Sequence, residues 1–257
     1  MSVVTGMLKK FLIILRAPFR LWELVIFHLP GVPGEALRYR HWRKRLRSLG
    51  RNVRFGVGVK LQKPEYISIA GNCWIDDYVI ILAGPDSSER EKIRIQNPSF
   101  EGEAGTVRIG RNVHLAPFTI ISGLSAGVAI GDDCTLSAGC RVYAFSHHYR
   151  SGRDGSNRNI AFGSMVPPER QCMIEGPVTI GDNTGVALNS VILPGVRIPE
   201  DCFVAVGAVV KPARFEPNSI LEGNPAKMAG ERYPARTGRR GGGLPPHRGR
   251  GPAVAGE

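Results

Sequence analysis

An all-β parallel solenoid is the fold class this sequence predicts, and three observations predict it. Aliphatic residues recur at every sixth position: Ile69, Ile75 and Ile81, then Ile109, Leu115 and Ile121, then Ile130, Leu136 and Val142, and finally Ile180, Val186, Ile192, Ile198, Val204 and Val210. Four residues after these stand small or β-branched side chains: Val79, Val113, Thr119, Ser125, Ser146, Thr184, Ser190, Val196 and Ala208, with Cys73, Cys134, Cys140 and Cys202 in the same slot. Between them Gly, Asp and Asn cluster, as in IGRN, IGDD and IGDN, and the 257 residues include 32 Gly and 19 Pro. That content disfavours an all-helical bundle and favours many turns. A period of six fits neither a helix stripe nor a long alternating strand. It fits short parallel strands joined by tight turns and stacked on one another. The aliphatic residue then points inward on each flat face, the small residue fills the corner, and Gly, Asp and Asn accept the left-handed backbone of the turn.

The first element, residues 1–52, lies before this repeat and is basic. Residues 1–63 hold 14 Lys and Arg against 2 acidic residues, residues 64–235 hold 15 against 19, and residues 236–257 hold 5 against 1. Any polyanion therefore meets the ends of the chain, not its middle. Residues 7–29 are mostly apolar, but Arg16, Arg20 and Glu23 interrupt them, and the longest uninterrupted run is Phe11–Leu15. That is too short and too charged for a spanning helix or a secretory signal. At about 100° per residue, Lys9, Arg16, Arg20 and Glu23 fall on one narrow polar stripe, with Pro18 opposite as a kink. Such a helix lies in a bilayer interface with Trp22 inserted, or packs on the protein's own core. The cluster Arg38, Arg40, Arg43, Lys44, Arg45, Arg47 and Arg51 favours the first reading, an anionic membrane surface. Nucleic acid is not indicated, because the cluster lacks interleaved aromatic residues and any recognised module.

The solenoid itself spans 53–229, with two breaks in phase. Residues 82–108 and 148–178 are polar excursions, and long loops in a regular solenoid are usually functional or disordered. Residues 230–257, rich in Gly, Arg and Pro, form a disordered tail. The corner cysteines are small buried residues: the count of five is odd and no C-x-x-C pair occurs. Cys172 falls in a loop and has no assigned role.

The stretches IGRNVHLAPFTI, IGDDCTLSAGCRV and IGDNTGVALNSVILPGVRIPEDCFVAVGAVV, followed by GNPAK at 223–227, resemble the hexapeptide-repeat acyltransferases of the sugar O-acetyltransferase type. The resemblance covers about 67–229. It implies a left-handed parallel β-helix of triangular coils, a homotrimer with sites between subunits, and acetyl-CoA as the acyl donor. The hand is an implication of the family, since the general preference for crossovers is right-handed.

Transfer from a thioester to a hydroxyl needs a base near neutral pH, and His is the natural choice. His28, His41 and His247 lie in the basic ends, and His114 at a turn of a coil. His147 and His148 end a coil at VYAFSHHY, where the second excursion starts. Sugar-type members carry a catalytic His after a similar run, which Val142, Tyr143, Ser146 and His147 match; this resemblance assigns the base to His147, with His148 as the alternative. By the same resemblance coenzyme A lies along Ala187–Asn189, Ala205–Gly207, Lys211 and Gly223–Lys227, which places Ala187, Asn189, Ala205, Gly207, Lys211, Gly223, Asn224 and Lys227 in the donor site, with Arg232 a further phosphate contact. The sequence departs from the family at Gly185, where many relatives have Trp, and around Phe118–Thr119, where an acceptor-binding Asn has no clear counterpart.

Gly123-Leu124-Ser125-Ala126-Gly127 matches a hydrolase nucleophile motif, but another repeat follows instead of a helix, and Ser125 stands at a corner. A γ-carbonic-anhydrase-like metal site needs three His; His114 and His147 supply two and no third is suitably spaced, so no metal ligand is assigned. A non-catalytic scaffold is the other rival. The sequence thus predicts an acetyl-CoA-dependent O-acetyltransferase. Its acceptor is a sugar or lipid-linked saccharide, an amine acceptor being the variant, and its place is the cytoplasm, peripheral at the inner face of the membrane.

Overall fold

Backbone hydrogen bonds explain the architecture better than helix or strand propensity, because no strand of the solenoid exceeds three residues before the closing hairpin. Strands this short satisfy their N–H and C=O groups only through the coils above and below. The computed structural model describes residues 22–234. Within them the chain visits three parallel sheets in rotation.

The first face stacks Ser48–Leu49, Ile67–Ile69, Val107–Ile109, Val128–Ile130, Val178–Ile180 and Arg197–Ile198. The second stacks Arg54–Phe55, Trp74–Ile75, His114–Leu115, Thr135–Leu136, Gly185–Val186 and Phe203–Val204. The third stacks Lys60–Gln62, Ile80–Leu82, Ile120–Ser122, Arg141–Tyr143, Val191–Ile192 and Val209–Val210. Every pairing inside these stacks is parallel and in register, as in Ile81↔Ile121↔Val142↔Ile192↔Val210. All fifteen aliphatic residues of the six-residue pattern are buried, none above 3 % exposure, so they form one continuous core.

The stack begins slightly earlier than expected. Leu49, Phe55 and Leu61 continue the spacing, and Ser48–Leu49 pairs with Ser68–Ile69, so the solenoid starts four or five residues before position 53. It also ends later. Ser219–Gly223 joins the second face and turns back antiparallel as Ala226–Glu231, after which Arg232 and Tyr233 bond to Asn183 and Asn218. The expected tail boundary at 230 is therefore two to four residues too early, and the tail beyond 234 lies outside the described residues.

The turns obey the left-handed rule at one corner and break it at another. Between the first and second faces, Asn52, Asn72, Asn112, Asp133, Asn183 and Asp201 all have φ between +52° and +61°. Their side chains form a ladder up the corner, with Asn72→Asn112, Asn112→Asp133 and Asn183→Asp201 each 2.7 Å. Between the second and third faces the equivalent positions are Gly58, Tyr78, Phe118, Gly139, Asn189 and Gly207. Tyr78 and Phe118 hold φ of +58° and +63°, a conformation that costs a bulky residue on the order of 1–3 kcal/mol.

Two earlier assignments change. Ser146 does not fill a corner: it is exposed on Phe145–His147, a strand that leaves the coil. Cys172 is buried in the strand Cys172–Glu175 that pairs with it. The first excursion supplies the third strand, Glu91–Arg94, parallel to Cys172–Glu175. The two phase breaks thus form one three-stranded arm. Cys73, Cys134, Cys140 and Cys202 sit buried at their corners. Burial pushes the Cys134 and Cys140 thiols up to about 11, so both are inert small side chains near neutral pH.

At the N-terminal end, helical residues 22–28 and the helix Gly31–Arg43 cap the first coil. Of the expected basic cluster, Arg38 points inward. It is 1 % exposed, and its guanidinium donates to the carbonyls of Phe55 and Leu29, each at 2.7 Å, and of Ile26 at 3.1 Å. Arg45 and Arg47 face Glu23 and Glu103. Arg40, Arg43, Lys44 and Arg51 remain outward, as do Trp22, Leu24, Val25 and Val32. Lys9, Arg16, Pro18 and Arg20 lie outside the described residues. No helix among the described residues is long and apolar enough to cross a membrane.

Candidate active site

Parallel stacking gathers the expected donor residues along one edge. Val186 pairs with Val204, so Ala187 stands beneath Ala205, and Asn189 and Gly207 follow at the corner between the second and third faces. Ser219–Gly223 continues that face above Phe203–Val204, which brings the Gly223–Asn224 turn over the same edge. The edge is lined by small groups. Gly207 has nothing within 4 Å of where a Cβ would stand, while a side chain at Gly139 would collide with Asn189 Oδ1. An open backbone of this kind suits a flexible amide-bearing chain that bonds to main-chain N–H and C=O groups. Lys227 is exposed opposite Glu222 in the hairpin. Lys211 is also exposed, but at the far end of the third face, and Arg232 donates to the Asn183 carbonyl. The structure therefore unites Ala187, Asn189, Ala205, Gly207, Gly223 and Asn224, with Lys227 near them, and separates Lys211.

The histidines lie elsewhere on the same coils. His147 ends the strand Phe145–His147, paired with Met173, and is exposed with no side-chain partner among the described residues. His148 is held: its Nδ1 lies 2.8 Å from the Arg150 carbonyl, and its ring packs at a tilt against Tyr149 with centroids 4.4 Å apart. A carbonyl only accepts, so Nδ1 carries the proton and Nε2 of neutral His148 is the free base. The arm that presents both residues leaves the third face at its far end, so within one chain the imidazoles and the donor edge are separated by the width of that face.

The arm is braced by carboxylates that sequence reading did not single out. Glu91 accepts from Ser151 Oγ at 2.8 Å and from the backbone N–H groups of Gly152 and Arg153 at 2.7 and 2.8 Å. Burial pushes its carboxyl up, but those three donors outweigh it and hold the group below its ordinary range. Asn97 ties the first excursion back to the first face through the carbonyls of Pro177 and Val196, at 3.0 and 3.2 Å. Ser125, at its corner, donates to Glu175, whose other oxygen takes Arg94 Nε at 2.9 Å. That serine bonds to a carboxylate held by Arg94 and braces the arm, so its geometry is structural. No cluster of three metal-ligating side chains occurs among the described residues.

A second imidazole is oriented as well. His114 Nε2 lies 2.8 Å from Asp76 Oδ2 on the outer side of the second face, and its ring packs on Trp74. Tyr78 and Phe118 stack next to it at the corner, and Tyr78 also walls a groove of about 530 Å³ shared with His41, Trp42, Arg45 and Lys60.

Comparison with known proteins follows the same outline. A family profile described as the hexapeptide repeat of succinyl-transferase matches residues 120–144 and 177–212. The dTDP-4-amino-4,6-dideoxy-D-glucose acyltransferase of Escherichia coli is 28% identical over 186 residues, which is 72% of this chain and 82% of that protein. The galactoside O-acetyltransferase of Escherichia coli K12 is 24% identical over 143 residues, 55% of this chain and 62% of that protein. A variant of AntD, an N-acyltransferase from Bacillus cereus solved with dTDP and coenzyme A, superposes with a TM-score of 0.61 at 23% identity, covering 76% of this chain and 89% of AntD. That last likeness is one of fold.

Proposed function

We propose that this chain, which belongs to the hexapeptide-repeat acyltransferases, moves an acetyl group from acetyl-CoA to a hydroxyl of a saccharide, with His147 as general base. The observation that carries the reading is the small-residue edge of Ala187, Asn189, Ala205, Gly207, Gly223 and Asn224, stacked over three successive coils of a solenoid whose arm strand ends in an exposed imidazole. The edge would hold the pantetheine amides of the donor through backbone groups. His147 takes the proton of the acceptor hydroxyl as that oxygen attacks the thioester carbonyl. Collapse of the tetrahedral intermediate forms the ester and expels the thiolate of coenzyme A, which the imidazolium reprotonates. Backbone N–H groups stabilise the intermediate's oxyanion.

The separation of arm and edge within one chain supports a homotrimer, in which the arm of one copy reaches the donor edge of the next. The coils are read as left-handed, the hand the family implies. An amine acceptor is the variant that the relative named as a dTDP-4-amino-4,6-dideoxy-D-glucose acyltransferase favours. A second choice of base also has a specific observation behind it: the fixed tautomer of His148 leaves Nε2 free. Release of coenzyme A thiol on adding saccharide separates these readings. His147→Ala lowers turnover by about 10²–10⁴ with the oligomer intact; near-normal turnover in that variant with loss in His148→Ala moves the role to His148.

The outward Trp22, Leu24, Val25 and Val32, with Arg40, Arg43, Lys44 and Arg51 nearby, support peripheral contact with an anionic membrane. Because Arg38 is held by the carbonyls of Ile26 and Leu29, deletion of this segment would orphan a buried charge, and point substitution is the cleaner probe. Neutralising Arg43 and Lys44 weakens binding to phosphatidylserine vesicles by up to about fivefold each; unchanged binding refutes the contact.

A further inference from the structure

The end of the stack opposite the donor edge holds a groove that the transfer reaction does not use. By register Lys60 lies beneath Ile80, Ile120, Arg141 and Val191 in turn, so it stands four coils, about 19 Å, below the start of the donor edge. Here helical residues 22–28 and the helix Gly31–Arg43 leave the groove of about 530 Å³ against the first coil. That volume is in the range of small-molecule sites, about 300–1,000 Å³. Its wall is apolar at Phe27, Trp42, Val59, Leu61 and Pro64. It is cationic at Arg45 and Lys60, with His28 and His41 beside them and Glu23 as the single acid.

Two polar groups on this wall are short of partners. Arg45 donates to His41 Nδ1 at 3.2 Å, and a guanidinium only donates, so Nδ1 accepts. Burial, and then the Arg45 charge, hold the imidazole below its ordinary range, so it is neutral near pH 7 and Nε2 carries the proton. His41 is only 9% exposed, and its Nε2–H has no acceptor among the described residues. The second group is the other Arg45 nitrogen, Nη2, which faces Glu23 at 3.5 Å. That is longer than a charge-assisted hydrogen bond of about 2.7–2.9 Å, so the guanidinium keeps donors to spare. A smaller cleft shares Glu23, His41 and Arg45 and adds Trp22, Arg40 and Lys44. His41 and Arg45 thus stand where an apolar groove meets a cationic cleft. A buried donor without an acceptor, beside a cation with donors to spare, suits an anion, and the groove suits an apolar tail. Residues 7–20 of the chain do not match this wall: they carry Lys9, Lys10, Arg16 and Arg20 and no acid.

We propose that this groove binds an anionic membrane lipid, with one alkyl tail along Phe27, Trp42, Val59, Leu61 and Pro64 and its phosphate on Arg45 and His41 Nε2–H. Lys60, Arg40 and Lys44 add longer-range attraction. The source of the lipid rests on the reading that this end of the chain meets an anionic membrane, which the outward Trp22, Leu24 and Val25 support. The chemistry of the groove does not depend on that reading.

Titration calorimetry of the full chain tests this with four probes: hexyl and octyl phosphate below their micelle concentrations, inorganic phosphate, and octyltrimethylammonium. Octyl phosphate binds about fifteenfold tighter than hexyl phosphate, about fourfold for each added methylene. Neither inorganic phosphate nor the cationic amphiphile gives saturable heat. Arg45→Gln weakens octyl phosphate about tenfold. So does His41→Phe, which keeps a ring against Phe27 and Trp42. Lys60→Gln, at an exposed side chain, weakens it about fivefold and serves where the other two fail to fold. Equal affinity for the two tails overturns the proposal, and so does inorganic phosphate bound as tightly as octyl phosphate, which makes this a plain anion site. The cationic amphiphile bound equally well, or binding that ignores all three substitutions, overturns it too. So does the absence of saturable heat in the wild type, the groove then being filled by its own chain or by a subunit. Octyl phosphate bound through these residues by a protein that does not bind phosphatidylserine vesicles overturns the membrane source alone and leaves a site for a soluble anionic amphiphile.

Discussion

At the corner between the first and second faces, each left-handed residue is Asn or Asp, and the side chains bond up the stack. At the corner between the second and third faces, the same backbone carries Gly, Tyr, Phe, Gly, Asn and Gly in turn. The backbone requirement is identical, so the difference lies in what each corner is for. The first corner is optimised for its own conformation and closes on itself. The second forgoes that ladder, leaves glycine backbone open at Gly207, and holds two strained aromatic rings lower in the stack. A regular solenoid offers three corners for equal use, and departures from the best local residue mark the corner where something other than the turn's own conformation sets the side chain.

Four experiments break or sharpen this contrast, in falling order of effect. Removing the exposed imidazole at the end of the arm strand, His147→Ala, lowers turnover by about 10²–10⁴ and leaves the melting temperature unchanged; equal losses from substitutions along the first corner would erase the distinction between the edges. Exchanging the corners' residues comes next. Tyr78→Asn and Phe118→Asn relieve the left-handed backbone and raise the melting temperature, with acceptor and acetyl-CoA KM values followed alongside. Asn112→Phe, at the first corner, does the reverse. It breaks the bonds to Asn72 and Asp133 and strains the backbone, lowering stability by about 1–3 kcal/mol in denaturant titration with both KM values unchanged. The smallest effect is that of pH on the arm. The Glu91 carboxyl is held below its ordinary range in the fold, so its stabilisation is complete above the unfolded value of about 4.3 and is lost as pH falls through the folded one. Wild-type melting therefore drops by a few degrees more than that of Glu91→Gln on acidification below about pH 4; parallel curves would show that the arm does not depend on this charge.

The solenoid was legible because a period of six leaves the same mark on every coil, and the fifteen aliphatic positions it names are all buried. The coil at Leu49, Phe55 and Leu61 bears the same spacing, yet it lies among Arg47, Arg51, Arg54 and Lys60, whose charge reads as a basic segment instead. Arg38 shows why that reading misleads: a guanidinium with three carbonyl partners is a structural pin, and its partners at 26, 29 and 55 have no periodic relation to it. The arm was invisible for a similar reason. Glu91–Arg94 pairs with Cys172–Glu175 across about eighty residues, and neither segment carries a strand pattern that names the other. Ser146 followed the corner spacing and still left the coil, because a spacing cannot say where the chain stops obeying it. The expected donor positions came from resemblance, and stacking gathers most of them on one edge. The left-handed backbone at Tyr78 and Phe118 had no signal, since Tyr and Phe are poor residues for such a turn, although Phe118 stood out as a departure from the family.

The most direct test of the central claim is mass spectrometry of a saccharide panel incubated with acetyl-CoA and the full chain. The account predicts a singly acetylated saccharide with the wild type and its near disappearance with His147→Ala. Acetylated product formed equally by that variant and by the wild type, or no acetylated saccharide from the wild type across the panel, would contradict it.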